Sequence, residues 1–323
     1  MSELGFKLQH IRNLRRSWRD KVTTPEEVQV ILTQRCNLNC HFCFNKDTTK
    51  KENNINEIKE IVRQTKELGI EAIRFTGGEP LLVKDLLESV IYAKQQGLYV
   101  IINTNGLLID ESNYKIFDYV DDVLISLHNV EELNSKERAF NKLKRKNLIL
   151  RGCTILLKEN IKELEKFFRF FKKVKFNNYF LLRPIPNPLN KTPMETQDVQ
   201  DFTKKIIQLN NTYKANAYIA NALPFCSYDT EKLSQICVGG KNDSGYTRIT
   251  VAENGDIKPS YYSNKILGNI KTDSLKECWN NHYMKKIRNH QLVPTECKSC
   301  HHLHVCKGGI IGDEKDYLIK TTL

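Results

Sequence analysis

Cys36, Cys40 and Cys43 stand at CxxxCxxC spacing in the stretch Thr33-Gln34-Arg35-Cys36-Asn37-Leu38-Asn39-Cys40-His41-Phe42-Cys43. The run before them, Val28-Gln29-Val30-Ile31-Leu32, is patterned as a strand, so their loop should leave a strand end with the thiols converging. Three thiolates suit an iron–sulfur cluster, and the next cysteine, Cys153, is far away in sequence. One iron would then stay open to bind and polarise a small molecule. A zinc knuckle would need a fourth Cys or His at metal spacing, for which His41, inside the motif, is a weak candidate.

A second group lies near the C-terminus: Cys226, Cys237, Cys278, Cys297, Cys300 and Cys306, with Cys297-Lys298-Ser299-Cys300 and Cys306 forming CxxCx5C before Lys307-Gly308-Gly309. Such thiols build either a second cluster or a structural zinc site, and His301, His302 and His304 beside them keep zinc open. Cys278 beside Trp279 on an amphipathic helix, and Cys153 inside a strand, read as packing. A hairpin over 246–251 and 256–260 turns at Asn254-Gly255, and Leu275 and Trp279 mark a short helix.

The elements that must position these residues alternate in type. Strands are predicted over 28–33, 71–76, 98–103, 122–127, 148–156 and 178–183. One-faced apolar helices lie between them, carried by Ile58, Ile61, Val62 and Leu68, by Val83, Leu86 and Val90, and by Leu164, Phe167, Phe168 and Phe171; a further helix spans 196–212. Alternation of this kind gives a parallel sheet, here curled into a partial (β/α)6 TIM-like barrel, an α/β fold, with a small cysteine-rich α+β module after it. The expected divisions are a basic helical extension over 1–24, the barrel over 25–219 and the module over 220–323, with a loop over 184–193. Polar or glycine clusters follow the strands: Thr76-Gly77-Gly78-Glu79-Pro80, Thr104-Asn105-Gly106, Ser126-Leu127-His128, Lys158-Glu159-Asn160 and Arg183-Pro184. All should share one rim with the cysteine loop, where barrel enzymes place their chemistry.

The cysteine triplet, with the aromatic Phe42 before its last member, together with Thr76-Gly77-Gly78-Glu79-Pro80 one unit downstream, resembles the signature of the radical S-adenosylmethionine (SAM) enzymes. The resemblance implies a 4Fe–4S cluster on Cys36, Cys40 and Cys43 whose open iron is chelated by SAM. SAM is then cleaved reductively to a 5'-deoxyadenosyl radical that abstracts a hydrogen atom from substrate. It also implies that Gly77, Gly78 and Glu79 receive the amino group of SAM, that Thr104, Asn105 and Ser126 meet its ribose and carboxylate, and that Asn160 lies near its adenosine. Arg183 would pair with the carboxylate or with substrate. Read without the resemblance, Gly77 to Pro80 form a strand-to-helix turn with Glu79 at a helix start, Asn105-Gly106 is a turn signal, and Arg183 faces solvent.

The C-terminal group resembles the SPASM/twitch module that holds auxiliary clusters in part of that family. Ser260 stands where the full pattern has a cysteine, and so does Ile310. One auxiliary 4Fe–4S cluster is therefore expected, on Cys237, Cys297, Cys300 and Cys306, with Cys226 a ligand, a nearby thiol or, in an epimerase, a hydrogen donor.

With 323 residues, 40% apolar, the chain can bury a large core. It has no long apolar run and no signal peptide, so a cytoplasmic protein with reduced thiols and no membrane attachment is expected. The net charge of +12 fits an anionic partner, although Lys136 to Lys146 and Lys162 to Lys173 read as solvated helix faces. Base-stacking aromatics among the basic residues are not evident, which disfavours a zinc-stabilised nucleic-acid-binding protein. The family resemblance implies peptide modification, meaning oxidation, crosslinking or epimerisation of a ribosomally made peptide, helped by a flavodoxin- or ferredoxin-type electron donor and by a partner protein that recognises the peptide. The alternatives of the same architecture are a carbohydrate or aminocyclitol dehydrogenase and a pterin-forming enzyme, the last disfavoured by the absence of a diglycine tail after Lys320.

Overall fold

A computed structural model describes residues 23–43, 51–144, 146–185, 194–215, 217–237, 244–309 and 318. The expected N-terminal helix, except for its last two residues, and most of the 184–193 loop lie outside the described residues. The chain runs β1 (Glu27–Ile31), α1 (Ile55–Glu67), β2 (Ala72–Thr76), α2 (Leu86–Gln95), β3 (Tyr99–Thr104), β4 (Asp122–Ser126), α3 (Leu133–Leu143), β5 (Ile149–Ile155), α4 (Leu164–Val174), β6 (Asn178–Leu182), α5 (Thr196–Tyr213), β7 (Ala217–Ile219) and α6 (Thr230–Ile236). It continues through β8 (Arg248–Val251), β9 (Asp256–Lys258), β10 (Gly268–Asn269), α7 (Leu275–Trp279), α8 (His282–Arg288) and α9 (Leu303–Cys306). No helix among the described residues is long and apolar enough to cross a membrane.

The six expected strands form and pair in parallel in chain order, β1 to β6. Two more parallel strands extend the row. β7 joins β6, its three residues being too short for a pattern to show, and β8 joins the free side of β1. The sheet then continues antiparallel through β9 and β10. It therefore crosses the division expected at residue 220, and so does the apolar core, which takes in Leu233, Ile249, Val251 and Trp279 along with the barrel residues.

Side-chain alternation sorts the strands into two faces. Val28, Val30, Phe75, Val100 and Val123 pack in the main core with Ile58, Ile61 and Val62 of α1 and Phe167 and Phe168 of α4. Ala72, Tyr99 and Ile101 form a separate patch on the opposite face, inside the barrel. That inner face is charged toward the strand starts. Arg74 donates to both carboxylate oxygens of Glu27, at 2.6 and 2.9 Å, and to Asn103 at 2.8 Å, while Arg151 pairs with Asp122 under full burial. The barrel floor is thus closed by paired ions, and the open end of the strands is left for chemistry.

Local sequence fixes the approach to that end. Asn54 and Glu57 cap α1 reciprocally, a box worth about 1 kcal/mol. The buried Asn53 amide donates to the carbonyls of Ile31 at 2.9 Å and Ala252 at 3.1 Å, so one side chain ties the end of β1 to the C-terminal hairpin.

Candidate active site

The cysteine loop leaves β1 and lies against the Gly77-Gly78-Glu79 segment that leaves β2. Gly78 N donates to Thr33 O at 2.7 Å and Glu79 N to Arg35 O at 2.8 Å. This contact requires the glycines: a Cβ on Gly78 would stand 2.1 Å from Arg35 O, and one on Gly77, at φ +151°, 2.5 Å from Thr33 O. The glycine pair therefore seats the cysteine loop.

Glu79, fully buried, is the hub of the rim. Its carboxylate accepts from Thr104 Oγ1 at 2.7 Å, from Asn105 N at 2.8 Å and from Leu81 N at 3.1 Å. Burial raises its pKa, and the Asn105, Thr104 and Leu81 bonds pull the other way. Asn105 reaches on, its Nδ2 donating to Asn37 Oδ1 at 2.8 Å within the cysteine loop. The loops after β1, β2 and β3 are thereby joined by one chain of hydrogen bonds.

Cys36 is exposed, and Cys40 and Cys43 are half-buried. Desolvation raises the pKa of Cys36 and Cys40, and the charge of Cys43 adds to the rise at both. The Leu38 amide points at Cys36 Sγ at 3.4 Å, and Lys136 offsets the charge at Cys40. Among the described residues no three such side chains close around a point the size of one ion. A four-iron cube takes thiolates at separate corners and so accepts the wider set. His41 instead pairs with Glu159 at 2.8 Å, linking the cysteine loop to the loop after β5. Phe42 meets the ring of His128 edge-on, with centroids 5.0 Å apart. His128 accepts from Ile155 N through Nδ1, and desolvation pushes its pKa down to about 3, so the imidazole is neutral.

Ser126 ends β4 at this rim, and Lys136 Nζ donates to its carbonyl at 2.8 Å while pairing with Glu132 at 2.7 Å. The solvated face expected for Lys136 is a misreading, since the side chain is buried. Leu133, Lys136, Phe140 and Leu143 share the inward face of α3, and that spacing was the available signal. Asn160 spends its amide on its own loop, accepting from Leu157 N and donating to Ile155 O. Arg183 is buried with Nε on the Ala222 carbonyl, so it bridges the exits of β6 and β7 instead of facing solvent.

A second site lies between the loop after β7 and the C-terminal turns. Cys226, Cys297, Cys300 and Cys306 line one pocket, together with Phe225, Glu296 and His302. Burial, then the neighbouring thiols of Cys306, Cys226 and Cys300, pushes the Cys297 pKa up to about 11. Burial raises the Cys306 pKa, and the backbone amides of Phe225, Gly309 and Gly308 at its sulfur pull the other way. Cys237 does not line this pocket; it caps α6 and bridges to Ile219 at the sheet edge. The fourth thiol beside CxxCx5C is thus Cys226, where motif order pointed to Cys237. Cys153 and Cys278 are both buried, but Cys153 stands outside the main core, level with Ser126 on β4.

Family models match the chain in two places: the radical SAM superfamily over residues 30–171 and the SPASM iron–sulfur cluster-binding domain over 243–301. The chain carries a radical SAM domain followed by a SPASM domain. These domains imply a 4Fe–4S cluster with SAM and an auxiliary iron–sulfur cluster, and the two thiol groups fit them in number and chemistry. A probable GTP 3',8-cyclase of Sulfurisphaera tokodaii is 29% identical over 57% of this chain and 64% of its own length. An S-adenosylmethionine-dependent nucleotide dehydratase of Danio rerio is 41% identical over 35% of this chain and 33% of its own. The radical SAM protein thus spans less than two thirds of either relative. The fold matches that of SuiB from Streptococcus suis bound to S-adenosylmethionine, with a TM-score of 0.74 at 19% identity, covering 96% of this chain and 79% of that one.

Proposed function

We propose that this radical SAM enzyme binds SAM at the β1–β4 rim and takes a hydrogen atom from a ribosomally made peptide, which it oxidises or crosslinks. The observation that carries the reading is the chain of hydrogen bonds from Asn37 through Asn105 to Glu79, which fixes the Cys36, Cys40 and Cys43 loop against Gly77 and Gly78. A cluster and SAM held there would supply a carbon-centred radical able to break an unactivated C–H bond, and an auxiliary cluster held by the C-terminal thiols would supply an electron acceptor.

The chain's own residues do the rest. Cys36, Cys40 and Cys43 hold the first cluster, and the Gly77 and Gly78 backbone with Glu79 receives an amino group. Ser126 and Lys136 offer a hydroxyl and a buried cation to a carboxylate. Phe42, held by neutral His128, supplies an apolar wall for a base. Thr104, Asn105 and Asn160 shape the rim through the loops they hold, and Arg183 supports its far edge. Cys226, Cys297, Cys300 and Cys306 hold the auxiliary cluster. Four thiolates saturate a four-iron cube and leave no iron for substrate, which suits an electron acceptor in an oxidation.

SuiB, of the same fold, has been seen with its precursor peptide SuiA, which supports a peptide substrate. The cyclase relatives favour a second reading, a nucleotide substrate in the same barrel. Anaerobic protein with reductant, SAM and either a candidate peptide or GTP separates the two. Loss of two hydrogens from peptide supports the first, and consumption of GTP alone replaces it. Cys40→Ala should abolish 5'-deoxyadenosine formation, and retained cleavage would overturn both.

A further inference from the structure

The loop between β9 and β10 belongs to the C-terminal hairpin, yet one of its side chains ends at the first site. Tyr261 Oη donates to the carbonyl of Gly77 at 3.3 Å. Its phenol lies within electrostatic reach of Cys43 and Cys36. The residue before it, Ser260, is buried and stands where the module's pattern carries a cysteine, so here the loop delivers a phenol to the rim from a position next to that missing ligand.

We propose that Tyr261 is a positioning residue of the SAM site, supplied by the C-terminal module. This rests on the reading that Gly77 to Glu79 receive the amino group of SAM. A carbonyl oxygen has two lone pairs, so Tyr261 holds the Gly77 carbonyl from the module side and leaves the other lone pair for a ligand. Gly77 sits at φ +151° with the Thr33 backbone pressed against its Cα, and the Tyr261 hydroxyl fixes the direction of its carbonyl. SAM bound at Gly77 and the hairpin bound at Gly77 therefore reinforce each other.

Tyr261→Phe keeps the ring and removes the donor. A net hydrogen bond of about 1 kcal/mol corresponds to about fivefold in an equilibrium constant, so the SAM concentration that half-saturates the change in the reduced cluster's EPR signal should rise about fivefold. KM for SAM should rise by the same factor, with kcat at saturating SAM kept within about twofold. A purely structural role would instead lower iron loading and kcat together. In wild-type protein, added SAM should slow amide hydrogen exchange in 259–267 as well as in the cysteine loop, a measurement that stands even if the variant loads iron poorly. Unchanged SAM affinity in Tyr261→Phe, or unaltered exchange in 259–267, overturns the proposal. A wild-type EPR signal that ignores SAM overturns the underlying reading of the site instead.

Discussion

Gly78→Ala tests the seating of the cysteine loop by a single methyl group. The new Cβ would lie 2.1 Å from the Arg35 carbonyl oxygen, whereas real Cβ atoms essentially never come within 3.0 Å, so the two segments must part by about 0.9 Å. Both clashing groups are backbone, which no rotamer change relieves; Arg35 C and Gln34 O also fall inside the limit, at 2.5 and 2.7 Å. Parting them weakens the Gly78 N to Thr33 O and Glu79 N to Arg35 O hydrogen bonds, each worth about 1 kcal/mol. A misplacement of about 1 Å at a reacting centre costs about 100-fold in rate. The expected result is a fall of about 100-fold in 5'-deoxyadenosine formation, with auxiliary-cluster iron and the thermal transition nearly intact. Gly69→Ala is the control: its φ of +72° strains any side chain, but nothing lies within 4 Å, so it should cost about 1–2 kcal/mol of stability and leave turnover alone. SAM cleavage in Gly78→Ala within threefold of wild type would refute the seating argument.

Three further outcomes follow from the geometry. In a background without Cys36, Cys40 and Cys43, Cys226→Ser should alter the EPR signal of the remaining cluster or lose its iron, and Cys237→Ser should not; the reverse would return the fourth ligand to Cys237. Asp122→Ala leaves buried Arg151 without its carboxylate and should cost about 3–5 kcal/mol in urea unfolding, while Asp122→Leu with Arg151→Met should recover most of that; a single-variant cost under about 1 kcal/mol would mean the pair is not buried as described. His128 is neutral when folded, with a pKa of about 3 against an ordinary 6.5, so below pH 6.5 the unfolded chain gains a proton that the folded one refuses. Stability should therefore fall with pH from 6.5 toward 3, by up to about 1.4 kcal/mol per pH unit, and His128→Gln should remove that part of the slope.

The barrel was legible because its strands alternate with one-faced helices, and each of the six expected strands falls within two residues of its observed bounds. The rim clusters were legible for the same reason, since a parallel sheet puts every strand exit on one side. What escaped were features that depend on distance in sequence. β8 joins β1 across the whole barrel, a pairing that no local pattern near residue 220 signals. Cys226 is named from the sequence as a ligand or a nearby thiol, but its place beside Cys306 comes only from the return of the chain after β7. Lys136 was misjudged from its charge, although its spacing from Leu133 and Phe140 already placed it on the buried face. Asn37 has no signal beyond its position in the cysteine loop; its use appears only with Asn105 opposite.

The pairing of β8 with β1 also decides how the two thiol groups communicate. β1 carries the cysteine loop at its end, and β8 leads through Ala252 into the hairpin that returns Tyr261 to Gly77. Asn53 closes the same circuit from the other side, bonding the carbonyls of Ile31 and Ala252 at once. A displacement of the hairpin is thus passed to the cysteine loop through a sheet pairing and two side chains, with no flexible linker between them. The auxiliary pocket hangs on the opposite margin of the barrel, where Arg183 holds the Ala222 carbonyl four residues before Cys226. Loss of the Arg183 guanidinium would therefore loosen the Cys226 arm. The hydrogen bonds from Asn37 through Asn105 to Glu79 run among the loops after β1, β2 and β3 and do not pass through that arm.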